Sequence, residues 1–116
     1  MPRELEQRAF TIVIGRLMEG KEKGGATLIE ACHLNQQLWT TLLTDLALPQ
    51  NTLPDQLKAQ LISLGIWVHK YSPQVMGGKA AVDPLISLNR SILEGLSATP
   101  QAAAAAPGKL LELTAV

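Results

Sequence analysis

The sequence predicts an all-α protein, a compact bundle of about four helices with a linker-like C-terminal tail. Apolar residues recur at helical spacing through most of the chain, alternating strand patterns do not occur, and aromatic residues make up only 3%. Proline and glycine divide the apolar runs into four. Because 116 residues leave room for one ordinary domain, we place a helical domain at 1–96 and the tail at 97–116.

The first helix is predicted to run from about Pro2, whose missing N–H is not needed in a first turn, to the glycine-containing stretch 20–25. One apolar stripe has four members: Phe10, Val13, Ile14 and Leu17. Leu5, Ala9 and Ile12 form a second stripe beside it. The two stripes cover about 200° of the helix, whereas one contact with a core needs about 100°. Leu5 and Ile12 are therefore candidate contacts for a partner protein.

The second helix is predicted from about residue 26 to residue 48. Its apolar face follows the i, i+3, i+4 pattern and has eight members: Leu28, Ala31, Cys32, Leu38, Trp39, Leu42, Leu43 and Leu46. Trp39 and Trp67 lie on either side of a proline-marked break, so the two are candidates for the contact that organises the domain. On helical projection, Trp39 falls within the core face and Trp67 at the margin of the face of the next helix.

The third helix is predicted to begin at Pro54. Its main apolar face has six members: Leu57, Leu61, Leu64, Val68, Tyr71 and Val75. Ile62 and Ile66 lie on a different side, and Trp67 lies at the margin, so we add these three to the candidate partner contacts. Two interpretations of such extra apolar residues stay open. A four-helix bundle buries its central helices on several sides, and a helix-in-groove receptor uses them to bind a partner.

Pro73 predicts a kink or an early end of the third helix at the residue before it. Asp83 and Pro84 form an N-cap and first-turn pair, which predicts a fourth helix through about Leu96. The composition changes after that point. Residues 97–116 consist of an alanine- and proline-rich linker and a short apolar end.

Two asparagines lie at the centre of otherwise apolar faces, Asn35 on the second helix and Asn89 on the fourth. A buried amide without hydrogen-bond partners costs about 1–3 kcal/mol, so each must find a partner. One interpretation is structural, in which the asparagines bond to backbone or set the register between packed helices. The other makes them polar anchors in a groove that receives the helix of another chain.

No constellation typical of catalysis, of a metal site or of a cofactor site is visible in the sequence. Cys32 and His33 are adjacent, but consecutive helical residues point about 100° apart, so the two side chains do not face each other. Cys32 falls on the apolar face of the helix and His33 on the polar face, which predicts a buried structural thiol rather than a thiol–imidazole pair. Neither His33 nor His69 has a partner at metal-ligand spacing. We therefore expect a non-enzymatic protein without metal or cofactor.

The charges and the N-terminus limit the partners and the location. Ten basic and ten acidic residues cancel without forming a basic stripe, which argues against direct binding of nucleic acid or an acidic membrane. The sequence has neither a signal peptide nor an apolar run of about 20 residues, so a cytoplasmic location is expected. Charged residues make up only 17% of the chain, below the usual proportion of about 25%. So few charges leave apolar surface uncovered, which points to self-association or to a protein partner.

The region from the second to the fourth helix resembles the FlaF family of bacterial flagellar proteins. The order and spacing of four segments carry the resemblance, and a fifth near the start, PRELEQRAF, is similar to the first helix of the family. The four segments are LNQQLWTTLLTDLA (34–47), NTLPDQLKAQLISLGIWV (51–68), VMGG (75–78) and DPLISLNRSILEGL (83–96). Pro73 departs from the family pattern, and the tail has no counterpart in it.

The resemblance implies a protein that binds flagellin and couples flagellin synthesis to export, together with the flagellin translation repressor FlbT. The alternative is a translational regulator that acts on flagellin mRNA, directly or with FlbT. Scarce aromatic residues and balanced charge argue against the direct route. For the first function, the candidate contact residues are Leu5, Ile12, Ile62, Ile66 and Trp67.

Overall fold

A computed structural model of the chain describes the backbone of residues 3–97 and the side chains of residues 7–95. Within this range the chain forms four α-helices: α1 (Arg3–Lys23), α2 (Gly25–Leu46), α3 (Asp55–Met76) and α4 (Asp83–Ser97). The prediction of an all-α fold is confirmed, and the described range contains no strand. Apart from residue 97, the predicted linker and apolar tail lie outside the described residues.

A single residue, Gly24, joins α1 to α2 and folds them into an antiparallel hairpin. Gly24 and Gly25 have φ angles of 64° and 53°, in the left-handed region that glycine occupies without steric cost. The Gly24 N–H donates to the Gly20 carbonyl oxygen at 2.7 Å, which closes the last turn of α1. A Cβ on Gly20 would lie 2.8 Å from the Cα of Leu28, so only glycine permits this approach of the two backbones.

The other two helices pack against the two sides of this hairpin. α3 packs against α2, and α4 packs against α1. Thr40 of α2 meets His69 of α3, while Lys21 and Asp83 form an ion pair between the end of α1 and the start of α4. Leu43 also lies against Gly65, and Met18 against Arg90. In both pairs of helices the residue number falls along one helix as it rises along the other, so each helix runs antiparallel to the neighbour against which it packs.

The core lies where the apolar faces of the four helices meet. Phe10 and Trp39 form its aromatic centre, with ring centroids 6.1 Å apart and planes at 88°, an edge-to-face contact that aromatic quadrupoles favour. Trp67 lies outside this core and stacks on Tyr71 instead. The two tryptophans thus belong to separate ring pairs. Other fully buried apolar side chains around the centre are Leu17, Cys32, Val68, Val75 and Leu85.

Two helices end at residues that differ from the predicted ends. α2 ends at Leu46 rather than near residue 48. Pro49 disfavours helical backbone angles at Leu48, and Ala47 caps the helix. Of the two effects predicted for Pro73, a kink or an early end, the early end is wrong, because α3 continues through Pro73 to Met76. The missing N–H of Pro73 removes one bond only, and the Gly77 N–H closes the last turn by donating to the Pro73 carbonyl oxygen at 2.9 Å.

Candidate partner-binding surfaces

The surface of α3 that faces away from the bundle exposes large apolar side chains. Ile62 and Ile66, one turn apart, are 41% and 48% exposed, and Trp67 is 36% exposed. They belong to the outer face of α3, which we define as the exposed residues after its first turn. Its members are Ala59, Ile62, Ser63, Ile66, Trp67, Lys70, Pro73 and Gln74. Exposed apolar groups that are grouped in this way mark interaction sites more often than isolated ones do.

Trp67 has a defined position at one margin of this face. Its ring stacks on Tyr71, with centroids 4.8 Å apart and an angle of 17° between the planes. The Tyr71 hydroxyl donates to the Ala81 carbonyl oxygen at 2.7 Å, which ties the pair to the α3–α4 connection. An indole that is held in this way and is about one-third exposed loses little conformational entropy when a partner covers it.

The two candidate contacts on α1 lie apart from the outer face of α3. Ile12 is 52% exposed, on a helix that packs against α2 and α4. Leu5 lies within α1, but its side chain is outside the described side chains. The structure therefore brings together Ile62, Ile66 and Trp67 among the five predicted contacts and leaves Ile12 on a different surface.

Asn35 and Asn89 lie inside the fold and contact each other between α2 and α4. Both are fully buried. The Asn89 Nδ2 donates to Asn35 Oδ1 at 2.7 Å, and the Trp39 Nε1 donates to Asn89 Oδ1 at 2.9 Å. The Asn35 Nδ2 finds no partner among the described residues. We call this chain of side-chain hydrogen bonds the amide ladder, and its geometry fits the interpretation in which the two asparagines set helix register.

A polar groove lies between α2 and α3, beside the outer face of α3. It has a volume of about 410 Å³ and is lined by His33, Gln36, Gln37, Thr40, Thr41 and His69. The Thr40 Oγ1 and the His69 Nε2 are 3.2 Å apart. Sequence reasoning overlooked this groove, although the polar residues of α2 repeat at helical spacing and mark a face of their own. It also overlooked three exposed apolar side chains outside the outer face of α3, namely Met18, Ile29 and Leu48.

Among the residues that the structure describes, no three His, Cys, Asp or Glu side chains lie close enough together to hold a metal ion. Cys32 is buried, and burial raises the pKa of its thiol, because the thiolate is poorly solvated there. His33 is exposed, on another side of α2. Within residues 3–97, no helix is both long and apolar enough to cross a membrane.

Comparison with models of known protein families identifies a match to one family. The family model described as flagellar protein FlaF matches residues 1–96, which is most of the chain. No curated protein and no solved structure matches. The outer face of α3 and the amide ladder both lie within the matched region, and the resemblance of the four segments is confirmed. The chain therefore belongs to the FlaF family of flagellar proteins.

Proposed function

We propose that this flagellar protein binds flagellin, as an export chaperone or regulator without catalytic activity, and that the outer face of α3 is its contact surface. The observation that carries the proposal is the exposure of Ile62, Ile66 and Trp67 within two helical turns. A flagellar protein that leaves these groups in water has a surface suited to an apolar partner helix.

The exposed area is large enough to matter for affinity. Complete burial of an isoleucine side chain contributes about 1.5–3 kcal/mol, and about half of that remains available at Ile62 and at Ile66. A third of a tryptophan adds about 1–2 kcal/mol. Together the three side chains supply about 2.5–5 kcal/mol, which is a factor of about 70 or more in the dissociation constant.

A terminal segment of flagellin suits this surface if it becomes helical on binding. An unfolded segment loses conformational entropy when it orders, which keeps the affinity moderate and the complex reversible. Moderate affinity is what delivery of a subunit to an export apparatus requires. An effect on flagellin translation, alone or with FlbT, would then follow from this protein contact.

Calorimetric titration of the full chain with synthetic terminal segments of flagellin tests the proposal. We expect a dissociation constant in the micromolar range or below, and a loss of at least tenfold in the double variant Ile62→Ser, Ile66→Ser. Ile29→Ser is the matched control, since Ile29 is a similarly exposed isoleucine on α2. An absence of binding at micromolar concentrations, or equal losses in both variants, would contradict the proposal.

Ile12→Ser, measured in the same titration, decides whether the α1 surface contributes. The proposal expects it to behave like Ile29→Ser, because Ile12 lies outside the outer face of α3. A loss of affinity confined to Ile12→Ser would assign the contact to α1.

A further inference from the structure

The helices α2 and α3 differ from α1 in the charges that they expose. Among the exposed side chains that the structure describes on α1, charged residues are the majority: Arg8, Arg16, Glu19, Lys21, Glu22 and Lys23. The outer face of α3 has one charge, the ammonium group of Lys70. Between Asp55 and Asp83 the sequence contains no carboxylate residue, and α2 contains none between Glu30 and Asp45.

Lys70 continues the apolar stripe of the outer face. Ile62, Ile66 and Lys70 follow one another at intervals of four residues, so consecutive side chains lie about 6 Å apart along one side of α3. No ion pair joins Lys70 to another described residue. The neighbouring His69 contacts Thr40 across the polar groove, whose lining likewise contains no carboxylate.

We infer that the outer face of α3 selects a helical segment with a carboxylate beside its apolar stripe, one turn from the last apolar side chain. The apolar side chains would cover Ile62 and Ile66, and the carboxylate would pair with Lys70. A lysine at that position of the partner would instead meet Lys70 as a like charge. This inference deepens the proposed function and rests on it, because it names the chemistry of the segment that the same face binds.

Two designed peptides test the inference directly. Both are helical and share one apolar stripe, and they differ only in a glutamate or a lysine one turn beyond it. Binding is followed by the fluorescence of Trp67, since Trp39 is fully buried in the core. We expect the full chain to bind the glutamate peptide about tenfold more tightly, because a favourable pair replaces a repulsive one. Raised salt should reduce that ratio.

Charge reversal on the protein supplies the control. Lys70→Glu should abolish or invert the preference. Arg16→Glu should leave it unchanged, although Arg16 follows Ile12 on α1 at the same four-residue interval. Equal binding of the two peptides would overturn the inference. A preference that survives Lys70→Glu, or is lost in Arg16→Glu, would also overturn it.

The same experiment distinguishes the inference from the proposed function. Flagellin segments that bind the outer face without any response to Lys70→Glu would refute the inference alone. Failure of flagellin to bind, together with a tenfold preference for the glutamate peptide, would refute the proposed function alone.

Two other occupants of the outer face of α3 would overturn the inference. A dimer mass by light scattering at micromolar concentration, lost in Ile66→Ser, would show that a second copy covers the face. The end of the chain, KLLELTAV (109–116), also combines leucines with a glutamate. A change in Trp67 emission on replacing Leu110 and Leu113 by glutamine, without peptide, would show that this segment covers the face.

Discussion

Replacing Asn89 by leucine tests the amide ladder, and its effect follows from counting hydrogen bonds. The substitution removes the acceptor of Trp39 Nε1 and the donor to Asn35 Oδ1, both inside the core. Each buried polar atom left without a partner costs about 1–3 kcal/mol, so Asn89→Leu should lower the free energy of unfolding by about 2–6 kcal/mol. That is a large part of the 5–15 kcal/mol typical of a domain.

Replacing Asn35 instead should cost much less. Asn35→Leu deprives the Asn89 Nδ2 of its acceptor, but it also removes the Asn35 Nδ2, which has no partner among the described residues. Gain and loss nearly cancel, which predicts a change below about 1 kcal/mol. The double variant leaves only the Trp39 N–H without a partner and should be more stable than Asn89→Leu alone.

Urea denaturation followed by circular dichroism at 222 nm measures these three free energies, provided that the slope against denaturant stays constant. Leucine has the branch point of asparagine, so neither substitution opens a large cavity. Equal destabilisation by Asn35→Leu and Asn89→Leu would refute the reasoning. So would a double variant whose destabilisation is the sum of the two single effects.

Three further predictions concern other parts of the fold. Gly20→Ala should destabilise the protein by about 1–3 kcal/mol, because the added Cβ would meet the backbone of α2. Gly15→Ala should stabilise the protein by about 0.5–1 kcal/mol, because space is open there and alanine favours a helix. Thermal unfolding of the two variants compares these effects. The hydrogen bond from Lys21 lowers the pKa of Asp83 below its ordinary value of 3.8. The stabilisation from this pair should therefore be present above pH 3.8 and disappear as the pH falls through the lower folded-state pKa. Acid unfolding curves test this, and in Lys21→Met the stabilisation should be missing at every pH. Cys32 should react with a thiol reagent only as the protein unfolds, since it is buried with a raised pKa, and rapid labelling of the native protein would contradict this.

Helical periodicity predicted the faces of the helices, because burial of one side of a helix leaves a repeat of 3.6 residues in the sequence. Trp39 and the surrounding leucines were therefore predicted as core, and the structure buries Trp39. The same reasoning placed Ile62 and Ile66 away from the main stripe of α3 but left open whether the bundle buries them, and the structure leaves both exposed.

Contacts between helices were not predictable in the same way. The bonds from Asn89 to Asn35 and Trp39 join residues 54 and 50 positions apart, and no local pattern encodes which buried amide meets which. The stacking of Trp67 on Tyr71 was missed for a different reason. Both residues were assigned to the apolar face or its margin, and their mutual packing depends on side-chain angles that a helical projection does not contain.

The path of the backbone at Pro73 shows a further limit of local rules. A proline removes one backbone N–H, and the rule predicts an interrupted helix. Here Pro73 lies in the last turn, and Ser72, fully buried, donates its hydroxyl to the Val68 carbonyl oxygen at 2.6 Å. The helix ends only when the backbone of Gly77 and Gly78 closes it.

Hydrogen exchange of the full chain with and without flagellin tests the central claim most directly, namely that the outer face of α3 binds flagellin. Amide exchange is read by mass spectrometry of peptides from each helix. We predict slower exchange in α3 (Asp55–Met76) when flagellin is present and unchanged exchange in α1 (Arg3–Lys23). Protection confined to Arg3–Lys23, or no change in any helix at saturating flagellin, would contradict the claim.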